Sequence, residues 1–480
     1  MTDHKTNVLN EDTNDLSNQT KYADRVRLLL TEKEKRLGRK LAVFVQTFGC
    51  QQNEADSERL IGTALSLGYE KAASVESADL IIYNTCAVRE HAELKALSKT
   101  GQLKHIKAAN PELLVGLWGC MVNQEHRVSD IKNKYPYVDF VAGTNMLHRL
   151  PEILCDVMVN HRRRYYVEDG DAPIVEGVPV SRESDIKAWL SIMYGCDNFC
   201  TYCVVPHVRG RERSRKPEQI LAEAKSLVAD GCREITLLGQ NVNSYGKGLE
   251  EPCSFAELLS KVASLDGDFW VRFMTSHPKD VSDELIDVMR THERVAKHFH
   301  LPVQSGNDRV LAKMNRKYTR ETYLDVVKKL RAAMPDITLT TDIIVGFPGE
   351  TAEEFEDTLD LVREVGYDSI FAFIYSPRKG TPAADMDDPV SYEEKTERFA
   401  RLMALHHENI IRINESFVGK IVKVLCETPD APDNTAFFGR SSGNKLIRFT
   451  APKGSSLYGK FVNVKIDRAG DVQIYGEAVL

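Results

Sequence analysis

Three cysteines stand close together near the middle of the chain, Cys196, Cys200 and Cys203, in the spacing Cys-x3-Cys-x2-Cys. Ten cysteines in 480 residues are too few for a disulfide scaffold, so a group this tight points to metal or redox chemistry. Thiolates at this spacing can hold three corners of an iron–sulfur cluster and leave one iron open. Zinc is the main rival metal, but a structural zinc site needs a fourth protein ligand, and none lies close in the sequence.

A second set of cysteines is spread along the first part of the chain. Cys50, Cys86 and Cys120 each follow an apolar run, in the words VFVQTFGC, LIIYNTC and LVGLWGC, and they are 36 and 34 residues apart. That separation is about one strand–helix unit, and ligands of a parallel sheet collect at the carboxyl ends of its strands. We therefore predict a second three-thiolate cluster at that sheet edge, whereas three separate buried thiols are the alternative.

Two stretches of alternating strands and helices must position these cysteines. Residues 41–158 predict an α/β domain with a doubly wound parallel sheet, because short apolar runs alternate with stretches whose apolar residues recur at helical spacing. Residues 182–412 continue the alternation and predict a partial (β/α)6 barrel, with its chemistry at the carboxyl ends of the strands. The candidate strands of the barrel are Ala188–Tyr194, Glu234–Leu238, Trp270–Met274, His298–Leu301, Thr338–Val345 and Ser369–Tyr375.

The remaining segments differ from these two stretches in composition and in the pattern of their apolar residues. Residues 1–40 predict a polar N-terminal extension with one charged helix over Asp24–Leu37 and a poorly ordered first part. Residues 159–181 are interpreted as a linker. Residues 417–480 contain short β-rich runs divided by Gly, Asn and Asp turns, which predict a small antiparallel β-barrel.

Composition narrows the class of protein. Hydrophobic residues make up 42% and charged residues 28% of the chain, which is typical of globular proteins. The net charge of −7 excludes a chain that is strongly basic throughout. Residues 417–480 hold nine Lys and Arg against six Asp and Glu, so an RNA-binding module and a plain solvated β domain both remain open. Short apolar runs and a polar N-terminus predict a cytoplasmic protein without a membrane span.

With these motifs in view, residues 41–480 resemble the radical S-adenosylmethionine (SAM) methylthiotransferase family, most closely its tRNA-modifying MiaB branch. The words that carry the resemblance are Thr47–Cys50 followed by Asn53, Asn84–Glu90, Gly119–Met121, Tyr194–Cys200 and Val208–Arg215. Gln52 stands where Met is common in the family, and His207 where Tyr is common. Neither departure removes a cysteine.

The resemblance implies three domains and two [4Fe–4S] clusters. The methylthiotransferase domain would bind an auxiliary cluster through Cys50, Cys86 and Cys120. The radical SAM domain would bind its own cluster through Cys196, Cys200 and Cys203. The β-rich tail would be an RNA-binding TRAM domain.

The implied activity is transfer of a methylthio group to C2 of N6-isopentenyl(dimethylallyl)adenosine, next to the anticodon of tRNA. Two SAM molecules are consumed in each turnover: one methylates a sulfur atom, and the other yields the radical that removes hydrogen from C2. The implied partners are the tRNA anticodon stem-loop, an electron donor and a sulfur source, and we expect a monomer.

Further candidate residues lie at predicted strand ends, where they would bind SAM. They are Gly239, Gln240 and Asn241 after the second barrel strand, Gln304 and Ser305 after the fourth, and Asp342 within the fifth. Ordinary turn chemistry is the alternative for the strand ends.

Candidate RNA contacts are basic and aromatic. Arg209, Arg211, Arg213 and Arg215 alternate along the chain, so in extended backbone they would share one side and could bind phosphates. Phe438 and Arg440 in the tail could contact bases or backbone. A solvated basic face and a barrel core, respectively, are the alternatives.

Two other functions stay open from the sequence. The same chemistry could act on another acceptor, either a ribosomal-protein side chain or threonylcarbamoyladenosine in tRNA. The chain could instead be a non-catalytic iron–sulfur protein that binds RNA.

Overall fold

The structure is a computed structural model that describes residues 7–167 and 174–479, with side chains from residue 18 onward. The chain forms two compact units. One comprises the chain up to Ser184 together with Tyr194–Asp197 and Val204–Arg213, and the other comprises Asp185–Met193, Asn198–Cys203 and the chain from Ser214. No described helix has both the length and the apolar character that a membrane crossing requires.

The helices and strands alternate through most of the described chain. The helices are α1 (Asn7–Leu37), α2 (Gln51–Leu67), α3 (Glu90–Ala109), α4 (Glu125–Lys134), α5 (Leu150–Asn160), α6 (Val205–Arg209), α7 (Pro217–Ala229), α8 (Phe255–Ala263), α9 (Asp283–Thr291), α10 (Asp308–Lys313), α11 (Arg320–Ala333), α12 (Ala352–Val365) and α13 (Tyr392–Glu415). The strands are β1 (Ala42–Phe48), β2 (Glu70–Lys71), β3 (Leu80–Thr85), β4 (Leu114–Gly119), β5 (Phe140–Ala142), β6 (Arg164–Tyr166), β7 (Lys187–Ser191), β8 (Met193–Tyr194), β9 (Arg213–Ser214), β10 (Glu234–Leu238), β11 (Trp270–Phe273), β12 (His298–His300), β13 (Thr338–Val345), β14 (Ser369–Ile374), β15 (Ile421–Cys426), β16 (Ala436–Ser441), β17 (Leu446–Thr450), β18 (Phe461–Ala469) and β19 (Ile474–Val479).

The first unit is built on a parallel sheet whose described strands have the order β2-β1-β3-β4-β5-β6. Residues of β3 alternate between two cores: Leu80 and Ile82 pack with residues of α1, α2 and α5, whereas Ile81 and Tyr83 pack with residues of α3 and α4. Helices therefore cover both faces of the sheet. The predicted doubly wound sheet is confirmed.

The edges of this unit differ from the sequence prediction. Helix α1 buries Val26 and Leu30 completely against the core, so this part of residues 1–40 belongs to the domain instead of extending from it. Strand β6 lies inside the predicted linker 159–181 and pairs with β5, so the linker prediction is wrong at its start. The expected poor order falls partly on residues 1–6, which lie outside the described residues.

The second unit contains two parallel sheets, β7-β10-β11 and β12-β13-β14. A single β-bridge between Val271 and Val295 connects the end strand β11 to the segment before β12. Helices alternate with the strands and bury their apolar faces in one large core. The predicted partial barrel is confirmed, and its strands lie close to the predicted bounds.

The C-terminal strands close into a small barrel with the order β15-β16-β17-β19-β18. Four of the described pairings are antiparallel, as predicted, but β17 and β19 are parallel. Along β16 the side chains alternate between inside and outside, so Phe437 is buried while Phe438 is 39% exposed.

Candidate metal centres

Cys50, Cys86 and Cys120 lie together at one edge of the first sheet. They follow β1, β3 and β4, which are neighbouring parallel strands, so the carboxyl ends of the strands deliver them to the same edge. The Cys86 thiol donates a hydrogen bond to Cys50, and Cys120 is within electrostatic range of both thiols. Cys50 is exposed, whereas Cys86 and Cys120 are buried.

Two fully buried asparagines hold the backbone around Cys50. The Asn53 side-chain oxygen accepts from the Cys50 backbone N–H and from its thiol, both at 3.4 Å. The Asn53 amide nitrogen donates to the Asn84 side-chain oxygen at 3.3 Å, and the Asn84 amide donates back to the Asn53 carbonyl at 2.8 Å. This ring of hydrogen bonds connects the loop after β1 to the end of β3 and sets where Cys50 stands.

Cys120 is placed by a tight turn at the end of β4. Gly119 has a φ of +101°, and a Cβ there would lie 2.4 Å from the Asn84 side-chain oxygen. The Cys120 N–H donates to the Thr85 carbonyl at 2.8 Å. Only glycine fits both the backbone angle and the space, so the packing of this turn requires the glycine that precedes Cys120.

The three thiols perturb one another. The hydrogen bond from Cys86 lowers the pKa of Cys50 to about 6, and the positive charge of Arg209 acts in the same direction. The same hydrogen bond and burial raise the pKa of Cys86. Burial raises the pKa of Cys120, although Arg209 opposes this. Such mutual effects are expected where thiolates converge to bind metal.

Arg209 lies inside the first unit, next to Cys120. Its Nε donates to the Cys120 sulfur at 3.2 Å, and its Nη2 donates to Asp56 Oδ2 at 2.8 Å. Arg215 is also buried, and its guanidinium donates to the Ser191 carbonyl and to Glu223. The prediction that these two arginines share an exposed basic side is wrong, because α6 and the turn at Gly210 replace the extended backbone that it assumed.

The loop with the Cys-x3-Cys-x2-Cys spacing is anchored by the segment that follows α10. The Thr201 N–H donates to the Met314 carbonyl at 3.1 Å, and the Asn315 amide donates to the Phe199 carbonyl at 2.9 Å. Arg316 is buried and donates from Nη1 to the Cys200 sulfur at 3.4 Å. Phe199 itself has a φ of +46°, an uncommon backbone angle that is typical of functional loops.

The donor set suits a cluster. Among the described residues, no group of three His, Cys, Asp or Glu side chains is spaced to hold a single metal ion. A cluster has a looser requirement, because each of its thiolates binds a different iron. Each three-cysteine set supplies three soft sulfur ligands, and the carboxylate of Asp197 within the second motif is paired with Arg211.

Buried polar atoms without partners lie at the carboxyl ends of the barrel strands. After β10, the Gln240 Oε1, the Asn241 Oδ1 and both amide atoms of Asn243 are buried and have no hydrogen-bond partner in the described structure. After β11, the Ser276 Oγ is in the same state. Unsatisfied buried polar atoms cost free energy, so this strand edge has polar groups that a polar ligand could satisfy.

The other predicted SAM residues lie on the second sheet of the partial barrel. Gln304 has a φ of +72° and pairs through a β-bridge with Ile343. Ser305 is buried, and its hydroxyl accepts from the Asn307 N–H at 3.3 Å. Asp342 stands on β13 with Oδ2 at 3.6 Å from His300 Nε2. The carboxylate therefore has a partner within the barrel.

The remaining candidate RNA contacts are accessible in part. Arg211 is 59% exposed and pairs with Asp197 at 2.8 Å. Arg213 is half-buried and donates to the Asn145 side chain at 3.4 Å. Arg440 is partly exposed, with its Nη1 donating to the Asn444 carbonyl at 3.2 Å.

The chain is similar over nearly its whole length to curated relatives. It is 50% identical over 442 residues to tRNA-2-methylthio-N(6)-dimethylallyladenosine synthase of Alkaliphilus oremlandii, covering 92% of this chain and 93% of the relative. The enzymes of that name from Acetivibrio thermocellus and Clostridium perfringens are 47% and 50% identical, covering 97% and 91% of this chain and 96% and 97% of theirs. The chain belongs to the tRNA-2-methylthio-N(6)-dimethylallyladenosine synthase family.

Family models and solved structures agree with the fold of this synthase family. The Radical SAM superfamily matches residues 190–362, and the uncharacterized protein family UPF0004 matches residues 42–143. The structure of the radical SAM methyltransferase TsrM from Kitasatospora setae, with tryptophan and a SAM analog bound, is 14% identical with a TM-score of 0.52. It covers 82% of this chain and 79% of TsrM, so the likeness is one of fold.

Several residues of this synthase site were missed from the sequence. Asn315 and Arg316 lie more than one hundred positions after the Phe199 carbonyl and the Cys200 sulfur that they respectively contact, and no local spacing indicates such a pairing. Asn243 and Ser276 follow predicted strands, so their positions at strand ends were the available signal. Asp56 lies within helix α2 and gave no signal, because its partner Arg209 is distant in the chain.

Proposed function

We propose that this chain transfers a methylthio group to C2 of N6-dimethylallyladenosine, next to the anticodon of tRNA. The observation that carries the proposal is the identity of about 50% over more than 90% of the chain to synthases of that name. The convergence of Cys50, Cys86 and Cys120 at one sheet edge supports it, since sulfur chemistry needs a site beyond the radical SAM loop.

As a member of the radical SAM superfamily the chain uses an iron–sulfur cluster and SAM. We propose two [4Fe–4S] clusters: one on Cys50, Cys86 and Cys120, and one on Cys196, Cys200 and Cys203, with two SAM molecules consumed per turnover. When bound, a cluster and SAM together supply a radical that can remove hydrogen from a carbon–hydrogen bond, which side-chain acids and bases cannot do.

The chain's own residues hold and shield these groups in the proposal. The unpartnered polar atoms of Gln240 and Asn241, with Gly239, orient SAM at the end of β10. Gln304, Ser305 and Asp342 complete the SAM contacts from β12 and β13. Cys86 and Cys120 are buried and shielded from water, whereas Cys50 is exposed, and in the proposal the transferred sulfur arrives beside Cys50.

RNA contacts in the proposal come from the surface. The C-terminal barrel acts as a TRAM domain, with Phe438 and Arg440 on its outside. Arg211 and Arg213 add phosphate contacts near the cysteine loop, supported by their partial exposure. Arginine suits this role because its guanidinium pairs with phosphate in a fork.

The remaining partners follow from the chemistry. Radical formation needs an electron donor, and each turnover needs a sulfur source. We propose that the chain works in the cytoplasm, where tRNA is modified, and as a monomer.

Nucleoside analysis of tRNA tests the assignment. A strain that lacks the gene should accumulate N6-dimethylallyladenosine without its 2-methylthio derivative, and a copy of the gene should restore the derivative. Complementation with Cys86→Ala should fail, because this variant lacks one proposed ligand, whereas Cys155→Ala should succeed. Cys155 is half-buried in α5 and lies outside both cysteine sets, so it is a matched control for loss of a thiol.

Two results would contradict the assignment of N6-dimethylallyladenosine as the acceptor. Normal 2-methylthio nucleoside in the deletion strain, without a second copy of the gene, would exclude it. Loss of a methylthio group from a threonylcarbamoyladenosine or a ribosomal protein instead would reassign the chain to one of the other acceptors.

A further inference from the structure

The ion pair between Arg209 and Asp56 is unusual in its burial. The side chains are only 5% and 3% exposed, and Arg209 Nη2 lies 2.8 Å from Asp56 Oδ2. Asp56 also accepts from the Gln52 amide at 3.3 Å. Because removing two charges from water is costly, a pair this deep is a weak source of stability and calls for another role.

A second side-chain contact of Arg209 indicates that role. Its Nε donates to the Cys120 sulfur at 3.2 Å while Nη2 stays on Asp56. Residues around Cys120, namely Ala87, Val204 and Val208, form a small apolar cluster. In such surroundings a hydrogen bond to sulfur is strong, since water does not screen it.

We propose that Arg209 is a positioning residue that raises the reduction potential of the cluster held by Cys50, Cys86 and Cys120, with Asp56 orienting it and offsetting part of its charge. This inference rests on the proposed function, because it requires that cluster. It replaces the role in RNA contact that the sequence suggested for Arg209.

The physical reason is charge balance. A reduced cluster carries one more negative charge than an oxidised one, so a nearby guanidinium and an N–H donor to a ligand sulfur favour reduction. Asp56 acts in the opposite direction. Since arginine keeps its proton throughout the ordinary pH range, the effect of Arg209 does not depend on pH.

The same arrangement recurs in the second unit. Buried Arg316 donates from Nη1 to the Cys200 sulfur at 3.4 Å and from Nη2 to the Pro302 carbonyl at 2.8 Å. Each three-cysteine set therefore has one buried arginine on one sulfur. Arg209 differs from Arg316 because it is held by a carboxylate, that of Asp56. Substitution of either Arg209 or Asp56 should therefore change the potential of the auxiliary cluster.

The test is a redox titration of the full-length protein with both clusters, followed by electron paramagnetic resonance. Arg209→Gln should lower the midpoint potential of the auxiliary cluster, and Asp56→Asn should raise it. Arg209→Lys should give an intermediate value, because the charge remains but the fork that reaches both partners is lost. The same titration with Cys196, Cys200 and Cys203 replaced by Ala assigns the signal to the auxiliary cluster.

Arg127→Gln is the matched control. Arg127 pairs with Glu93, which is 2% exposed, at 2.6 Å on the other face of the sheet. Neutralising Arg127 should leave the potential of the auxiliary cluster unchanged, because its described side-chain contacts are with carboxylates and not with a cysteine sulfur.

Opposite shifts in the two single variants separate tuning from a purely structural role. Equal potentials in wild type and both variants, shifts in the same direction, or loss of the auxiliary cluster from both would overturn the inference. Failure of the proposed function has a different signature, in which the wild-type protein shows no auxiliary cluster signal.

Discussion

Gly195 immediately precedes the first cysteine of the radical SAM loop, and its backbone leaves no space for a side chain. Its φ is +75°, and a Cβ there would lie 2.0 Å from the Arg211 carbonyl oxygen. The backbone angle alone disfavours any residue with a Cβ, and the close approach adds a clash with backbone that cannot rotate away. The turn therefore sets the direction from which Cys196 enters the loop.

Gly195→Ala should displace Cys196 and reduce the iron bound by the reconstituted chain to about half, four atoms fewer than two full clusters would hold. Iron analysis and 5′-deoxyadenosine formation from SAM measure the loss. Gly177→Ala is the matched control, since Gly177 has a φ of +74° but no atom within 4 Å of its Cβ position. Full iron content and normal SAM cleavage in Gly195→Ala would show that the turn does not position Cys196.

At the scale of single residues, the sequence predicted where the cysteines lie on the strands better than it predicted the surroundings of the arginines. The cysteines could be found because their spacing is local or because each follows an apolar run. Arg209 and Arg215 were placed on a shared surface because alternate residues share a side only in extended chain. The short helix α6 and the turn at Gly210, which has a positive φ, changed that geometry. No local pattern indicated that Arg209 would form an ion pair with Asp56.

Helix α13 packs against the edge strand β14 through a histidine. The Nε2 of His406 accepts from the Ile370 backbone N–H at 3.1 Å, and the ring is buried. Only the neutral imidazole can accept there. Burial and the nearby Lys445 lower the pKa of His406 from 6.5 to about 4.

This lowered pKa predicts loss of stability in mild acid. The unfolded chain takes up the proton near pH 6.5, before the folded chain does near pH 4, so the contribution of His406 is complete above pH 6.5 and falls as the pH drops toward 4. By linkage, His406 alone contributes a loss of about 2 kcal/mol in the free energy of unfolding between pH 7.5 and pH 5. Urea unfolding followed by circular dichroism at the two pH values measures it.

His406→Gln should remove the His406 contribution and make the dependence shallower, because an amide oxygen can accept the Ile370 N–H without titrating; the buried His277 and His298, whose pKa values are also lowered, keep the rest. His407→Gln is the control on the same helix, since His407 is exposed. An equal pH dependence in wild type and His406→Gln would contradict the assignment of this effect to His406.

Elements were predictable where burial imposes a pattern. Strands of the three parallel sheets are mostly apolar runs because both faces are covered, and their predicted bounds are close to those observed. Strand β6 was missed because its Arg-Tyr-Tyr residues are only half-buried at the sheet edge. The parallel pairing of β17 with β19 depends on how the barrel closes, which a list of short strands does not specify.

Charge is unevenly divided over the molecule as a whole. The chain carries a net charge of −7, yet residues 417–480 contain nine Lys and Arg against six Asp and Glu. That surplus of three positive charges is visible in the sequence. The packing of α1 into the first unit could not be predicted from the sequence, since most of the residues of this helix are polar.

The two-cluster account is tested most directly by counting iron and acid-labile sulfide in anaerobically reconstituted protein. Wild type should bind about eight iron atoms per chain, four for each cluster. Replacing Cys50, Cys86 and Cys120 with Ala should leave about four, and so should replacing Cys196, Cys200 and Cys203. About four iron atoms in the wild type, or loss of all iron from one triple variant, would contradict the account.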